Sequence, residues 1–68
     1  MKLNYFPDTD SLYIDLAQRP SVESREVSEG IVLDYGAAGE LVGIDIDHAS
    51  KRARLDEFSL VHLPHKAA

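Results

Sequence analysis

The sequence contains no cysteine, so neither a disulfide nor a thiolate zinc site can staple it. That absence fits a reducing compartment. No apolar run approaches the length of a membrane span. Met1-Lys2-Leu3-Asn4-Tyr5 has none of the apolar core of a signal peptide, so the expectation is a soluble cytoplasmic protein with no membrane partner. A basic surplus is missing too. The net charge is −5, which opposes non-specific attraction to nucleic acid. There are no internal repeats or low-complexity tracts. No serine stands in a nucleophile motif, and no glycine loop sits at a strand-to-helix turn to cradle phosphate.

What is present is a short chain of 68 residues. A chain of this size buries only about 60% of its unfolded surface, and its core supplies roughly 3–5 kcal/mol. A second copy or another partner is the expected source of further stability. Charge is uneven: residues 1–47 carry ten acids against Lys2, Arg19 and Arg25, and residues 48–68 carry a small basic excess from Lys51, Arg52, Arg54 and Lys66. Three cations near a helix start are a small footprint for nucleic acid, and no direct contact with it is expected.

The pattern of the chain is mostly β. Lys2–Phe6 alternates and stops at Pro7, and Pro7-Asp8-Thr9-Asp10 has turn chemistry. Ser11–Leu16 sets Leu12, Ile14 and Leu16 on one face and Tyr13 and Asp15 on the other. Val22–Ser28 is polar on both sides, which suits a sheet edge. Glu29-Gly30 is a tight turn or a bulge. Two β-rich runs then flank Gly36-Ala37-Ala38-Gly39, a hairpin. Ile31, Leu33 and Tyr35 share a face, as do Val42, Ile44 and Ile46, while Gly43 marks a bulge or a close backbone approach. Asp47 is the expected N-cap of a helix from His48 to Leu55, with Ala49 and Ala53 small enough to lie close to the sheet.

The fold class is therefore α+β: four or five antiparallel strands in two hairpins, with one C-terminal helix packed on one face. Residues 1–57 form a single domain and 58–68 an arm or tail. The expected core is Leu12, Ile14, Leu16, Ile31, Leu33, Val42, Ile44 and Ile46. Phe6, Tyr13, Val32 and Leu41 remain on the second face, and Phe58 and Leu60 lie on the arm. These six are the expected partner-binding residues, and a homodimer is the expected state.

Asp10-x-Leu12-Tyr13-Ile14-x-Leu16, then Glu26 with Gly30-Ile31-Val32-Leu33-Asp34-Tyr35, then Gly39-x-Leu41-Val42-Gly43-Ile44-Asp45-Ile46 and Ala49-Ser50, resemble the bacterial and archaeal family called domain of unknown function 2283. Gly36 stands where that family usually has Asp, and Asp45 where it often has Glu. The resemblance implies an antiparallel sheet with a C-terminal helix and no established activity. Some relatives are encoded beside small ribonuclease-type toxins, so it also implies an antitoxin-like role for those members.

Candidate chemistry is sparse. Asp8-x-Asp10 and Asp45-x-Asp47-His48 resemble hard-metal ligand pairs, but a turn and a helix cap explain them better, and a magnesium or calcium ion needs several oxygen ligands. His62 and His65 lack a third ligand, and Pro64 between them opposes a helix. No metal, cofactor or catalytic residue is assigned. The leading functional expectation is protein binding, with a small basic protein as the partner. The alternative is a metal-dependent or acid/base enzyme using Asp45, Asp47 and His48.

Overall fold

The computed structural model describes residues 1–62 and Pro64. Five strands and one helical turn follow in chain order: β1 (Lys2–Phe6), β2 (Ser11–Asp15), β3 (Glu23–Ser28), β4 (Ile31–Tyr35), β5 (Leu41–Ile46) and α1 (Ala49–Arg52). The strands make one antiparallel sheet in the order β1-β2-β5-β4-β3. The polar run at Glu23–Ser28 is an edge strand, as its charges predict, and all six of its residues are exposed. The linker after β2 carries the chain across the sheet; Leu16 and Val22 tie its ends to Val42 and Tyr35 through 2.9 and 2.8 Å backbone bonds.

Three tight turns follow from residue chemistry. Gly30 takes φ +78°, which only glycine adopts freely, and lets Ser28 face Ile31 across a two-residue turn. Gly39, at φ +83°, donates to the Gly36 carbonyl and closes the β4–β5 hairpin. Asp10 reaches φ +53° before β2, a region that Asp tolerates better than most residues.

Register assigns each side chain to a face. Leu12 opposes Ile46, Ile14 opposes Ile44, Leu33 opposes Ile44 and Ile31 opposes Ile46. These residues, with Leu3 and Tyr5 opposite Ile14 and Leu12, form one apolar face. The alternation read from the sequence therefore places them correctly. Their burial is less than expected: among the described residues only Leu12, Val42 and Ala49 are buried apolar side chains, and Ile14, Ile31, Leu33, Ile44 and Ile46 are half-buried.

The helix differs from the sequence expectation. It spans Ala49–Arg52 rather than running to Leu55, and its N-cap is His48, in a left-handed conformation and without a side-chain cap bond. The extended Ala53 ends it. Asp47 does not cap because its backbone is engaged elsewhere: its N–H donates to the Gly30 carbonyl at 2.7 Å, and its carbonyl accepts from Arg52 Nε at 3.0 Å. One helical turn cannot hold itself in water, since nucleation fixes several residues for a single bond. Neighbouring turns hold it instead, as described below. Residues Phe58–Val61 form no regular element; Leu63 and residues 65–68 of the expected arm, including His65, lie outside the described residues.

Candidate functional site

The two faces of the sheet differ in chemistry. On the apolar face, Leu3, Tyr5 and Leu12 join Ala53, Arg54, Leu55, Glu57 and Phe58 around a groove of about 510 Å³. Residues 53–58, after α1, thus lie over this face at the β1 side. At the other side, the Arg25 guanidinium lies 5.5 Å from the centre of the Tyr35 ring and is paired with Glu23 at 2.7 Å. Between these two margins, the half-buried isoleucines and Leu33 have no second layer over them among the described residues. A sheet with one apolar face is stable only when another layer covers that face.

The opposite face is acidic. Register places Tyr13 and Val32 on either side of Asp45, and Asp15 and Asp34 on either side of Gly43. Phe6, Tyr13 and Val32 do share this face, but Asp45 separates Tyr13 from Val32, and Phe6 lies opposite Ser11. The sequence pattern suggested an apolar patch here; alternation decides the side of a strand, while the lateral neighbours depend on register. Leu41 lies opposite Tyr35 beside a register shift, and it is 37% exposed.

Tyr13 organises this face. Its ring crosses β5 above Gly43 and its hydroxyl donates to Asp34 Oδ2 on β4 at 2.9 Å. Ser24 on β3 donates to the other oxygen, Asp34 Oδ1, at 2.6 Å. A single carboxylate thereby links three strands. A Cβ on Gly43 would overlap the Tyr13 hydroxyl and lie 2.5 Å from Cζ, so a glycine is required here by the crossing ring. Partial burial, the bond to Asp34 and the charges of Asp34, Asp15 and Asp45 push the Tyr13 hydroxyl up to about 12. Asp45 is also raised, first by desolvation and then by the charges of Asp47 and Asp34.

A second cluster joins the start of the sheet to α1. Asp10 accepts from the Tyr5 hydroxyl at 2.7 Å, from the Ser50 N–H at 3.1 Å and from the Ser50 hydroxyl at 2.7 Å. Its own carbonyl accepts from the Ala49 N–H at 2.9 Å. Asp10, forty residues away in sequence, therefore does for α1 what a local cap would do. The Tyr5 and Ser50 bonds hold the Asp10 carboxyl below the usual carboxylate range. At the far side, Arg52 Nη2 donates to the Glu29 carbonyl at 2.7 Å and lies against Gly30. The helical turn is thus bolted to two loops, with Ala49 fully buried between them.

Of the residues of the enzyme alternative, Asp45 and Asp47 lie close enough for the charge of one to act on the other. Asp45 lies on the acidic face, Asp47 accepts from Ser11 at 3.4 Å, and His48 is the left-handed N-cap of α1. Asp10 is occupied by Tyr5 and Ser50. Among the described residues no three His, Asp or Glu side chains are grouped to hold a metal ion. Among the acids of residues 1–47, Glu26 and Asp34 are on the acidic face, Glu23 and Glu40 are paired with Arg25 and Arg19, and Glu29 is in the β3–β4 turn.

The family model described as protein of unknown function (DUF2283) matches residues 2–50, the sheet and the first half of α1. The chain belongs to this family. The DUF2283 match ends at Ser50, the residue that Asp10 grips, so it takes in the whole Asp10 cluster and the Tyr13–Gly43–Asp34 crossing. No curated protein and no solved structure matches the chain. No described helix is long and apolar enough to cross a membrane.

Both clusters were missed in the sequence as networks. Gly43, interrupting a run of strand formers, was the one local signal of the crossing ring. The pairing of Asp10 with Ser50 has no local signal.

Proposed function

We propose that this DUF2283 protein is a cytoplasmic protein-binding domain that associates with a second copy of itself and offers the open apolar face of its sheet to a polypeptide partner. One observation carries the reading: Ile14, Ile31, Leu33, Ile44 and Ile46 line one face of a single-layer sheet and remain half-buried. Covering such a face removes apolar area from water at about 25 cal/mol per Å². The acidic opposite face favours a partner of net positive charge, because complementary fields speed encounter. A small basic toxin fits that description, which makes an antitoxin-like role the finer form of the proposal.

The experiment is affinity capture from the native host with wild-type protein and Leu33→Lys, alongside sedimentation of the purified chain. Leu33 is central on the apolar face. A basic polypeptide retained by wild type and lost by a folded Leu33→Lys variant is the expected result. Capture that Leu33→Lys leaves unchanged, or a purified chain that sediments as a monomer at every concentration, would overturn the corresponding half of the reading.

A further inference from the structure

The two edge strands, β1 and β3, each have no second strand partner among the described residues, and they treat an approaching strand differently. β3 carries Glu23, Arg25 and Glu26 and breaks register between Glu26 and Ser28. Charges and bulges are the devices by which edge strands deter pairing. β1 is the less protected edge. Lys2 is its single charge, its register with β2 is continuous from Lys2 to Phe6, and Leu3, Tyr5 and Phe6 are 42%, 43% and 50% exposed. An apolar edge guarded by a single charge and with continuous register is a template for another strand.

We propose that β1 is the seam of a homodimer, in which β1 pairs antiparallel with β1 of a second copy across a two-fold axis at Asn4. The two sheets then become one sheet of ten strands. This inference rests on the self-association reading above and adds its site. The occupant is a second copy because the strand is complementary to itself. Pairing about Asn4 sets Leu3 opposite the second copy's Tyr5 on the apolar face, and Lys2 opposite the second copy's Phe6 on the acidic face. Leu3 and Tyr5 also line the groove, so the seam lays the two grooves side by side and doubles the apolar surface offered to a partner. Charge agrees with this direction. The strand starts at Lys2 and runs into Pro7-Asp8, so antiparallel pairing brings each Lys2 toward the second copy's Asp8, twice per dimer.

A charge exchange tests the seam. Lys2 and Asp8 are both exposed, so Lys2→Glu and Asp8→Lys leave the packing of the sheet alone. Alone, each variant places like charges at both contacts, and its dimer should dissociate about tenfold more readily than wild type by sedimentation. Mixed in equal amounts, the two variants restore opposite charges at both contacts, and a heterodimer of near wild-type affinity should form. Variants that dimerise like wild type, or a mixture no tighter than its components, would overturn the seam. Cross-linking provides a second measurement that does not depend on these charges. The chain has no cysteine, and directly opposed residues of an antiparallel pair are about 4.5–5.5 Å apart, within disulfide reach. Asn4→Cys should oxidise to a covalent dimer, and Ser24→Cys on β3 should not; equal cross-linking at the two sites, or none at Asn4→Cys, counts against the seam. A wild-type chain that is monomeric throughout defeats self-association itself, whereas a dimer indifferent to both tests defeats only its placement at β1.

Discussion

Gly43→Ala tests the crossing of Tyr13 over β5 most directly. Alanine is ordinarily the better residue in a strand interior, by roughly 0.5–1 kcal/mol over glycine. Here its Cβ would occupy the space of the Tyr13 hydroxyl, so the ring must swing away from Asp34. A hydrogen bond to a charged group contributes about 1.5–3 kcal/mol. Subtracting the strand gain leaves a net loss of about 1–2 kcal/mol, to which the lost contact between ring and backbone adds. For a domain of this size each kcal/mol lowers Tm by roughly 4–8 °C. Thermal and urea denaturation measure the loss. Titration of tyrosinate absorbance provides an independent reading, because a displaced Tyr13 should ionise near the ordinary tyrosine value instead of at about 12. In Tyr13→Ala the obstruction is gone, so adding Gly43→Ala should cost nothing further and should recover about 0.5–1 kcal/mol. A Gly43→Ala protein as stable as wild type, with its tyrosine titration unchanged, would refute the account.

Four further outcomes follow from these networks. Asp10→Ala should lower Tm and remove the helical turn, because it deletes the acceptor for Tyr5 and Ser50 and puts alanine at φ +53°; amide exchange at Ala49 and Ser50 reads it directly. The Asp10 carboxyl is depressed in the folded protein, so its contribution is present above the ordinary carboxylate value and is lost as pH falls through the folded one; the acid limb of the stability curve should flatten in Asp10→Asn. Asp45 has the opposite sign. Its folded value is raised, so at neutral pH the ionised group opposes folding and Asp45→Asn should raise the urea midpoint. At the alkaline end, Tyr13 is neutral in the fold up to about 12; the stability it supplies is complete below the ordinary tyrosine value and disappears as pH rises through the folded one, which Tyr13→Phe should abolish.

Much of the sheet was legible in the chain because it rests on local signals. The alternation of Leu12, Ile14, Ile31, Leu33, Ile44 and Ile46 assigned each to the apolar face. Gly30 and Gly39 marked turns that need positive φ, and the charges of Glu23, Arg25 and Glu26 marked an edge. What escaped was whatever depends on partners far apart in sequence. Tyr13 and Asp34 are 21 residues apart, and Asp10 and Ser50 are 40 apart. Periodicity within a strand says nothing about which strand lies beside it, so the Asp45 carboxylate between Tyr13 and Val32 could not be seen. The helix was over-extended for a related reason. Asp47 has good capping chemistry, but its backbone was already committed to Gly30 and Arg52, and Asp10 had taken over the role.

The strand order β1-β2-β5-β4-β3 has a consequence for how the chain reaches this fold. Every pairing but one joins neighbours in sequence: β1 with β2, β3 with β4, β4 with β5. The exception, β2 with β5, brings Leu12 opposite Ile46 and closes the longest loop in the sheet. The N-terminal hairpin and the three-stranded meander can each form quickly from local contacts, and their docking along β2–β5 carries the loop-closure entropy. Tyr13 over Gly43 and Asp10 on Ser50 both bridge that same junction, so they stabilise contacts that form late. Weakening them should accelerate unfolding far more than it slows folding. The segment Ala17–Ser21, which links the two halves, is the natural place to divide the chain into two pieces that reassemble.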